Sequence, residues 1–304
     1  KEIVHILEEY EKGREGIRKD LVDIGHTREY EDLHLSRTAE HTRAYIKVQD
    51  GCNQFCSYCI IPYARGRVRS RSMESVREEV ETLARNGYQE VVLTGIHLSS
   101  YGIDTGTDLL SLIRTVHEVA GIKRIRLGSL EPRIITEEFA EAIAGLPKMC
   151  PHFHLSLQSG CTETLKRMNR RYTAEVGFPG ETEEEFKASR DFIDKVDFYE
   201  THVFKYSRRE GTKAAAMPDQ VPEEEKTRRS NILLDLSRKK QAAYEQRLLG
   251  TTQEVLIEEE IRRNGEIYQV GHTREYVKVG IRTEEKLANR LVQIEIENPF
   301  QIIH

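Results

Sequence analysis

The chain has 304 residues, of which 38% are hydrophobic and 32% are charged, and its net charge at pH 7 is −5. This length allows one large domain and a small one, and the composition is typical of a globular protein. No apolar run approaches the roughly 20 residues that span a bilayer, and the charged start of the chain is unlike a signal peptide. The sequence therefore predicts no membrane partner, and any RNA binding has to come from local basic patches.

The N-terminal part of the chain predicts a charged helix over residues 1–20, because its apolar residues recur at helical spacing. Residues 21–43 are predicted to be a linker that leads into the first strand. The six residues at 25–30 recur without change at 271–276. Because the two contexts differ, we do not interpret them as an architectural repeat.

From residue 44 onward, predicted strands and helices alternate. The predicted strands cover residues 45–49, 90–94, 125–128, 153–157 and 201–206. The predicted helices cover residues 73–86, 108–120, 136–144, 182–195 and 222–249. This alternation indicates βα units and a parallel sheet, whose chemistry is carried by loops at the C-terminal ends of the strands.

After Gly250 the pattern changes to short segments that alternate with period two. They predict strands over residues 252–258, 266–270, 276–281 and 291–297, and together a small β-barrel. We therefore divide the chain into residues 1–43, a main α/β domain over 44–246 and a C-terminal domain over 247–304.

Three cysteines follow the first predicted strand with the spacing C-x3-C-x2-C: Cys52, Cys56 and Cys59. Thiolates this close in one loop can turn toward a common centre, as iron–sulfur ligation requires, and three ligands leave one iron of a [4Fe–4S] cluster open to a small molecule. A zinc site is the alternative, although zinc prefers paired C-x2-C units or added histidines; the third possibility is unrelated buried cysteines. Cys150 and Cys161 are interpreted as ordinary thiols. An odd number of cysteines, three of the five clustered, argues against a secreted disulfide framework and favours a reducing cytoplasm.

The sequence around these cysteines, residues 51–67, closely resembles the radical S-adenosylmethionine (SAM) methylthiotransferases, which put a methylthio group on tRNA or on a ribosomal protein. Residues 64–71 are most similar to the members that act on N6-threonylcarbamoyladenosine beside the anticodon. The resemblance implies a partial (β/α)6 radical SAM barrel and a [4Fe–4S] cluster on the three cysteines. It also implies SAM at the open iron, cleaved to a 5′-deoxyadenosyl radical. The C-terminal β-barrel resembles the TRAM domain, an RNA-binding module.

The resemblance, together with positions at strand ends, implies a set of contacts to SAM or within the pocket: Tyr58, Thr94, Gly95, Ser129, Glu131, Gln158 and Arg209. Tyr58 would lie near the adenine, Thr94 and Gly95 would hold the SAM amino group, and Arg209 would lie near the substrate or the SAM carboxylate. Packing of the cysteine loop remains an alternative for Tyr58, as a surface position does for Glu131. His97 is interpreted as a loop histidine.

Four arginines alternate with other residues just after the cysteines: Arg65, Arg67, Arg69 and Arg71. In an extended segment every second side chain shares a face, so four guanidinium groups are predicted to line up beside the cluster. Arginine suits phosphate through its bidentate geometry, so this face predicts RNA binding, with Arg170 and Arg171 as an extension. A solvated charged loop is the alternative.

Two parts of the resembling family are missing from this chain. Around residues 174–175 the chain is too short for a parallel crossover, which indicates either a loop left out of the sequence or a real deletion. Full methylthiotransferases also carry an N-terminal domain whose three further cysteines bind a second [4Fe–4S] cluster for sulfur insertion. Residues 1–35 resemble the tail of that domain, so this chain is predicted to cleave SAM without inserting sulfur.

The sequence therefore predicts a cytoplasmic tRNA methylthiotransferase that modifies carbon 2 of N6-threonylcarbamoyladenosine, immediately 3′ of the anticodon. Its partners would be tRNA, a reducing electron donor and a sulfur source. The alternatives are methylthiolation of isopentenyladenosine in tRNA or of a ribosomal-protein aspartate, and a non-catalytic RNA-binding protein with a structural cluster.

Overall fold

The structure is a computed structural model, and it describes Glu8 and residues 11–12, 23–32, 42–170 and 177–304. Most of the predicted N-terminal helix, and the interruption at residues 174–175, lie outside the described residues. Across the described residues, no helix is long and apolar enough to cross a membrane.

The main domain contains two kinds of regular element. Its strands are β1 (Arg43–Asp50), β2 (Arg69–Ser70), β3 (Glu90–Gly95) and β4 (Arg124–Leu127). Its α-helices are α1 (Ile61–Ala64), α2 (Met73–Arg85), α3 (Leu109–His117), α4 (Glu137–Ala144), α5 (Thr162–Arg167), α6 (Glu183–Val196) and α7 (Glu223–Leu248). The five predicted helices are confirmed to within a few residues, whereas the short α1 and α5 were not predicted.

The first three long strands form the parallel core that the alternation predicts. The strand order is β2-β1-β3-β4, with β1, β3 and β4 parallel and the short β2 antiparallel to β1. Helices α2 and α3 cover this sheet with apolar side chains such as Val80 and Leu112, which pack with Ile46 and Leu93 in one buried cluster. Burying a side chain of this size stabilises the fold by about 1.5–3 kcal/mol. The parallel strands bring the loops after Asp50, Gly95 and Leu127 to one edge of the sheet.

The predicted strands over residues 153–157 and 201–206 are wrong as continuous strands within the described residues. Leu155 forms a single parallel bridge with Leu130, and Lys205 is likewise a lone bridge residue. A parallel crossover needs a dozen or more residues and then a strand of its own. Between residue 157 and α6 the described chain contains only the short α5, so regular pairing does not continue from one segment to the next.

The C-terminal domain is a four-stranded antiparallel sheet around its own core. Its strands are β5 (Thr252–Arg263), β6 (Glu266–Thr273), β7 (Lys278–Arg282) and β8 (Leu291–Glu295), in the order β7-β6-β5-β8. The buried side chains include Val255, Ile257, Val279 and Ile294. The long β5 pairs with both β6 and β8, which lets a small sheet curl around these residues.

The two copies of the six-residue string adopt different structures. Residues 24–26 form a turn, and Tyr30 donates a hydrogen bond from its hydroxyl to the Lys47 carbonyl at 2.7 Å. In the second copy residues 271–273 belong to strand β6. This difference agrees with the interpretation that the string is not an architectural repeat.

A buried carboxylate sits where β1, β3 and β4 begin. Glu90 is fully buried, and its Oε1 lies 3.3 Å from Arg43 Nε and 2.8 Å from Arg126 Nε, while its Oε2 lies 3.6 Å from Arg124 Nη1. All three arginines are buried as well. The N-terminal edge of the sheet is therefore organised around one carboxylate and three guanidinium groups.

Candidate cluster and cofactor site

The cysteine loop starts directly after β1, at the C-terminal edge of the sheet, as predicted. Cys52 and Cys56 are buried, and Cys59 is half-buried. The loop is anchored by backbone hydrogen bonds from Cys52 N to the Gly66 carbonyl at 3.1 Å and from Ser57 N to the Met168 carbonyl at 2.9 Å. The three thiols are thereby presented from a fixed loop at the edge where chemistry is expected.

Each of the three sulfurs accepts a hydrogen bond. The donors are Gln54 N to Cys52 Sγ, Ile61 N to Cys59 Sγ and Arg170 Nε to Cys56 Sγ, at 3.5, 3.4 and 2.9 Å. Hydrogen bonds to the sulfurs are one of the means by which proteins tune iron–sulfur clusters. The donor set fits thiolate ligands of such a cluster.

Burial raises the pKa of the Cys52 and Cys59 thiols. A metal centre deprotonates coordinating thiols outright, which offsets this cost. Within the described parts of the chain, no three His, Cys, Asp or Glu side chains approach closely enough to hold one metal ion.

Gly51 fixes the entry to this loop. Its φ is +71°, and a Cβ at this position would overlap the carbonyl oxygen of Arg67. We expect Gly51→Ala to reduce iron and sulfide content after anaerobic reconstitution, because the Cβ forces the loop away from the 65–67 segment. Gly106→Ala is the matched control, since Gly106 has φ +73° and a Cβ there would meet no described atom within 4 Å. Both variants bear a backbone cost of about 1–2 kcal/mol, so equal cluster loss in both would contradict the steric explanation.

A residue that the sequence did not point to, Gln49, ties two strand ends together. Its buried Nε2 donates to the carbonyls of Asp50 and Gly51, both at 2.7 Å, and its Oε1 accepts from His97 N at 2.7 Å. A Cβ on Gly95 would come within 2.8 Å of this Oε1, which explains the glycine at that position. A buried amide just before the loop thus couples the cysteines to the end of β3.

Thr94 and Gly95, predicted to hold the SAM amino group, do lie at the C-terminal end of β3. The Thr94 hydroxyl is within 3.5 Å of the Ile46 carbonyl, so it contacts the neighbouring strand. Their position agrees with the expectation, and their contact with SAM stays a prediction.

Glu131 is buried beside the cysteine loop. Its Oε2 lies 3.1 Å from His97 Nε2 and 3.3 Å from Gln54 Nε2. Burial alone would raise the pKa of Glu131, but the His97 hydrogen bond and the charges of His97, Arg133 and Arg170 lower it below its usual value. The structure thus places a carboxylate, held ionised, next to Gln54 of the loop. His97 is part of this buried pair, which its interpretation as a loop histidine did not include.

Ser129 contacts a different part of the protein from Glu131. It is exposed, and its hydroxyl lies 2.8 Å from His154 Nδ1. The two residues follow the same strand, yet only Glu131 contacts the cysteine loop.

A cavity of about 560 Å³ opens beside Cys59. Tyr58, Gln158 and Arg209 line it together with Cys59, and the Tyr58 hydroxyl donates a hydrogen bond to Gln158 Oε1. Three predicted cofactor contacts are thus brought together around one volume. Thr94, Gly95, Ser129 and Glu131 are not among its lining residues.

The predicted line of four arginines is not formed. Arg65 and Arg67 are exposed, and the Arg67 guanidinium lies 4.5 Å from the centre of the Phe55 ring. Arg69 and Arg71, by contrast, are 5% and 2% exposed.

Both buried arginines are used in ion pairs inside the protein. Arg71 pairs with Glu79 and, at 2.7 Å, with Asp32, and Arg69 lies 3.6 Å from Asp50. The basic surface that remains beside the cysteines is therefore half of what the alternation predicted.

Comparison with known proteins places these features in a family. Residues 46–176 match the Radical SAM superfamily. The chain is 38% identical over 318 residues to the threonylcarbamoyladenosine tRNA methylthiotransferase MtaB of Bacillus subtilis, covering 95% of this chain and 70% of that protein. With the MtaB of Aquifex aeolicus the identity is 37%, over 92% of this chain and 73% of that protein.

A second group of relatives carries another name. The tRNA-2-methylthio-N(6)-dimethylallyladenosine synthase of Acetivibrio thermocellus is 40% identical over 84% of this chain and 58% of its own length. The chain thus spans between 58% and 73% of these three relatives.

Radical SAM proteins bind a [4Fe–4S] cluster and SAM, and the three hydrogen-bonded thiols beside a cavity fit both. The similarity extends through both domains and far beyond the cysteine loop. The chain belongs to the tRNA methylthiotransferases of the radical SAM superfamily.

Proposed function

We propose that this chain is the catalytic core and RNA-binding tail of an enzyme that adds a methylthio group to carbon 2 of N6-threonylcarbamoyladenosine in tRNA, 3′ of the anticodon. The observation that carries the proposal is the loop of three hydrogen-bonded thiols with Cys59 on the wall of a cavity. The names of the two MtaB relatives support the choice of nucleoside. A cavity of about 560 Å³ is within the ordinary range for a small-molecule or nucleoside site.

The position of each residue in the site suggests its role in the reaction. Cys52, Cys56 and Cys59 would hold the cluster, which supplies with bound SAM a radical able to abstract a hydrogen atom. Tyr58 offers an aromatic face to an adenine. Gln158 orients the Tyr58 hydroxyl through their hydrogen bond. Arg209, exposed at the cavity wall, can pair with a carboxylate or phosphate.

RNA would approach a protein whose net charge is negative, so local groups have to provide the attraction. Arg65 and Arg67 are exposed next to the cysteine loop and are the candidates for phosphate contacts. We assign residues 44–246 to the radical SAM domain and residues 247–304 to a TRAM-like RNA-binding domain. Sulfur insertion would need the second cluster of an N-terminal domain, together with a sulfur source and an electron donor.

Mass spectrometry of tRNA nucleosides from cells lacking the gene tests the proposal. We expect loss of the methylthio form of threonylcarbamoyladenosine and accumulation of its unthiolated precursor. Loss of the methylthio form of the isopentenyl nucleoside instead would favour the second candidate, which the relative from Acetivibrio thermocellus supports. An unchanged tRNA profile would overturn both and favour a ribosomal-protein substrate.

Arg170 is expected to raise the reduction potential of the cluster. Its Nε lies 2.9 Å from Cys56 Sγ, and a charge-assisted hydrogen bond stabilises the more negative, reduced state. We expect Arg170→Gln to lower the potential by tens of millivolts, given that about 59 mV corresponds to a tenfold change for one electron. Potentiometric titration followed by electron paramagnetic resonance measures it.

Lys166→Gln is the control for Arg170, because it removes a positive charge from an exposed pair with Glu163. It is expected to leave the potential unchanged. Equal shifts in both variants would mean that net charge, and not the contact to Cys56, sets the potential.

A further inference from the structure

The end of β6 in the C-terminal domain, and the turn after it, are hydrogen-bonded to the N-terminal edge of the sheet in the main domain. Arg126 donates to the carbonyls of Thr273 and Arg274 at 2.7 and 2.8 Å, and Arg124 donates to the His272 carbonyl at 3.0 Å. In return, Arg274 Nη2 donates to the Met149 carbonyl at 2.6 Å. These bonds fix the backbone of residues 272–274 against the N-terminal edge of the sheet.

Tyr276, at the end of this turn, carries its ring into a stack of three. The ring is stacked with His152 of the main domain, at 4.6 Å and 21°, and with His272 of its own domain, at 4.4 Å and 23°. The guanidinium groups of Arg43 and Arg126 lie 5.0 and 4.9 Å from the ring centre. A flat ring that stacks with two imidazoles and lies under two guanidinium groups has a defined position.

The backbone of Tyr276 is held in a strained conformation. Tyr276 has φ +74°, which is an outlier for a bulky side chain and costs on the order of 1–3 kcal/mol. Such strain persists only where the surrounding contacts over-determine the conformation. Here the surrounding contacts are the docked turn and the ring stack.

The stack reaches the cavity, because His152 and Tyr276 both belong to its lining, as Cys59 does. The segment that carries His152 is joined to β4 and the chain after it by parallel bridges of Met149 with Ile125 and of Leu155 with Leu130. Burial, together with the charges of Arg126, His154, Arg43 and His272, lowers the pKa of His152 to about 4. His152 is therefore a neutral ring at neutral pH, and its Nδ1 has no hydrogen-bond partner among the described residues.

We propose that Tyr276 is a positioning residue by which the C-terminal domain shapes the cavity: its ring holds His152 in place on the cavity wall. The C-terminal domain then contributes to the active-site cavity itself, in addition to any contact with RNA. The link to catalysis rests on the proposed function, since that is where we place the nucleoside. The contact between Tyr276 and His152 does not depend on it.

The test follows the His152 ring by nuclear magnetic resonance in the whole chain labelled with 15N-histidine. The His152 signal is assigned from its disappearance in His152→Gln. Tyr276→Asn removes the ring while keeping a residue type that tolerates positive φ, so the backbone is not further strained. Tyr276→Phe keeps the ring. Tyr268→Asn is the matched control, because Tyr268 is half-buried in β6 of the same domain, with its hydroxyl 3.4 Å from Glu266.

We expect Tyr276→Asn to shift the His152 signal and to increase hydrogen exchange of the 149–155 segment relative to the native chain. In Tyr276→Phe, which keeps the ring, both should stay at their native values. Tyr268→Asn is expected to change neither. An unshifted His152 signal in Tyr276→Asn, or an equal shift in Tyr268→Asn, would overturn the proposal. A His152 signal that is shifted in Tyr276→Phe as well would also overturn it. None of these outcomes depends on tRNA being the substrate.

Discussion

Replacing any one of Cys52, Cys56 and Cys59 with alanine is expected to abolish both the iron–sulfur absorption and the formation of 5′-deoxyadenosine from SAM. The reason is that these three thiols are the only protein ligands that the loop offers, so two remaining thiols cannot hold a cluster with one open iron. The measurement is iron and sulfide content after anaerobic reconstitution, with SAM cleavage assayed under reduction.

The two other cysteines provide the control. Cys150 is fully buried, and burial raises the pKa of its thiol, while Cys161 directly precedes helix α5. Cys150→Ala and Cys161→Ala should keep the cluster and SAM cleavage, although Cys150→Ala is expected to lower stability by leaving a small cavity. Cluster loss in either of these variants, or an intact cluster in a variant of the loop, would contradict the assignment of ligands.

The cysteine loop could be predicted because its chemistry is local in sequence. The spacing of Cys52, Cys56 and Cys59 and the alternation of strands and helices are properties of short windows, and the sheet places that loop at its C-terminal edge as expected. The same is true of helix α6, whose capping box joins Thr182 and Glu185.

The fate of the arginines could not be predicted, because it depends on partners that are distant in sequence. The alternation of Arg69 and Arg71 says that they share a face of an extended segment, and not whether that face is solvated. Arg71 is buried in ion pairs with Asp32 and Glu79. Arg69 is buried beside Asp50. The spacing of residues in a sequence shows which side chains share a face of a strand or helix. Whether that face meets solvent or protein depends on the folded chain.

The same limit explains the residues that sequence reasoning missed. Gln49 is one polar residue in a strand, and only the pairing of β1 with β3 shows that it joins Gly51 to His97. Tyr276 belongs to another domain than the cavity that it lines. Such contacts arise from packing between elements, about which local patterns carry no information.

Glu90→Gln is expected to destabilise the protein by about 3–5 kcal/mol, as removal of one partner from a buried ion pair does. Glu90 is fully buried among Arg43, Arg124 and Arg126. Arg43 keeps Glu258 and Arg124 keeps Glu254, but Arg126 is left with the backbone carbonyls of residues 273–274. Equilibrium unfolding in denaturant measures the loss, and both domains should be affected, because Arg126 connects the sheet to the C-terminal turn.

The matched control is Glu81→Gln, the same substitution in an exposed pair with Arg77 on helix α2. Such a pair contributes about 0.3–0.5 kcal/mol, so this variant should unfold almost as the native chain does. A small loss in Glu90→Gln would contradict the view that this carboxylate compensates the buried charges. Adding Arg126→Met separates the causes: if the unpaired guanidinium is responsible for the loss, the double variant should be more stable than Glu90→Gln alone, because the uncompensated charge has been removed.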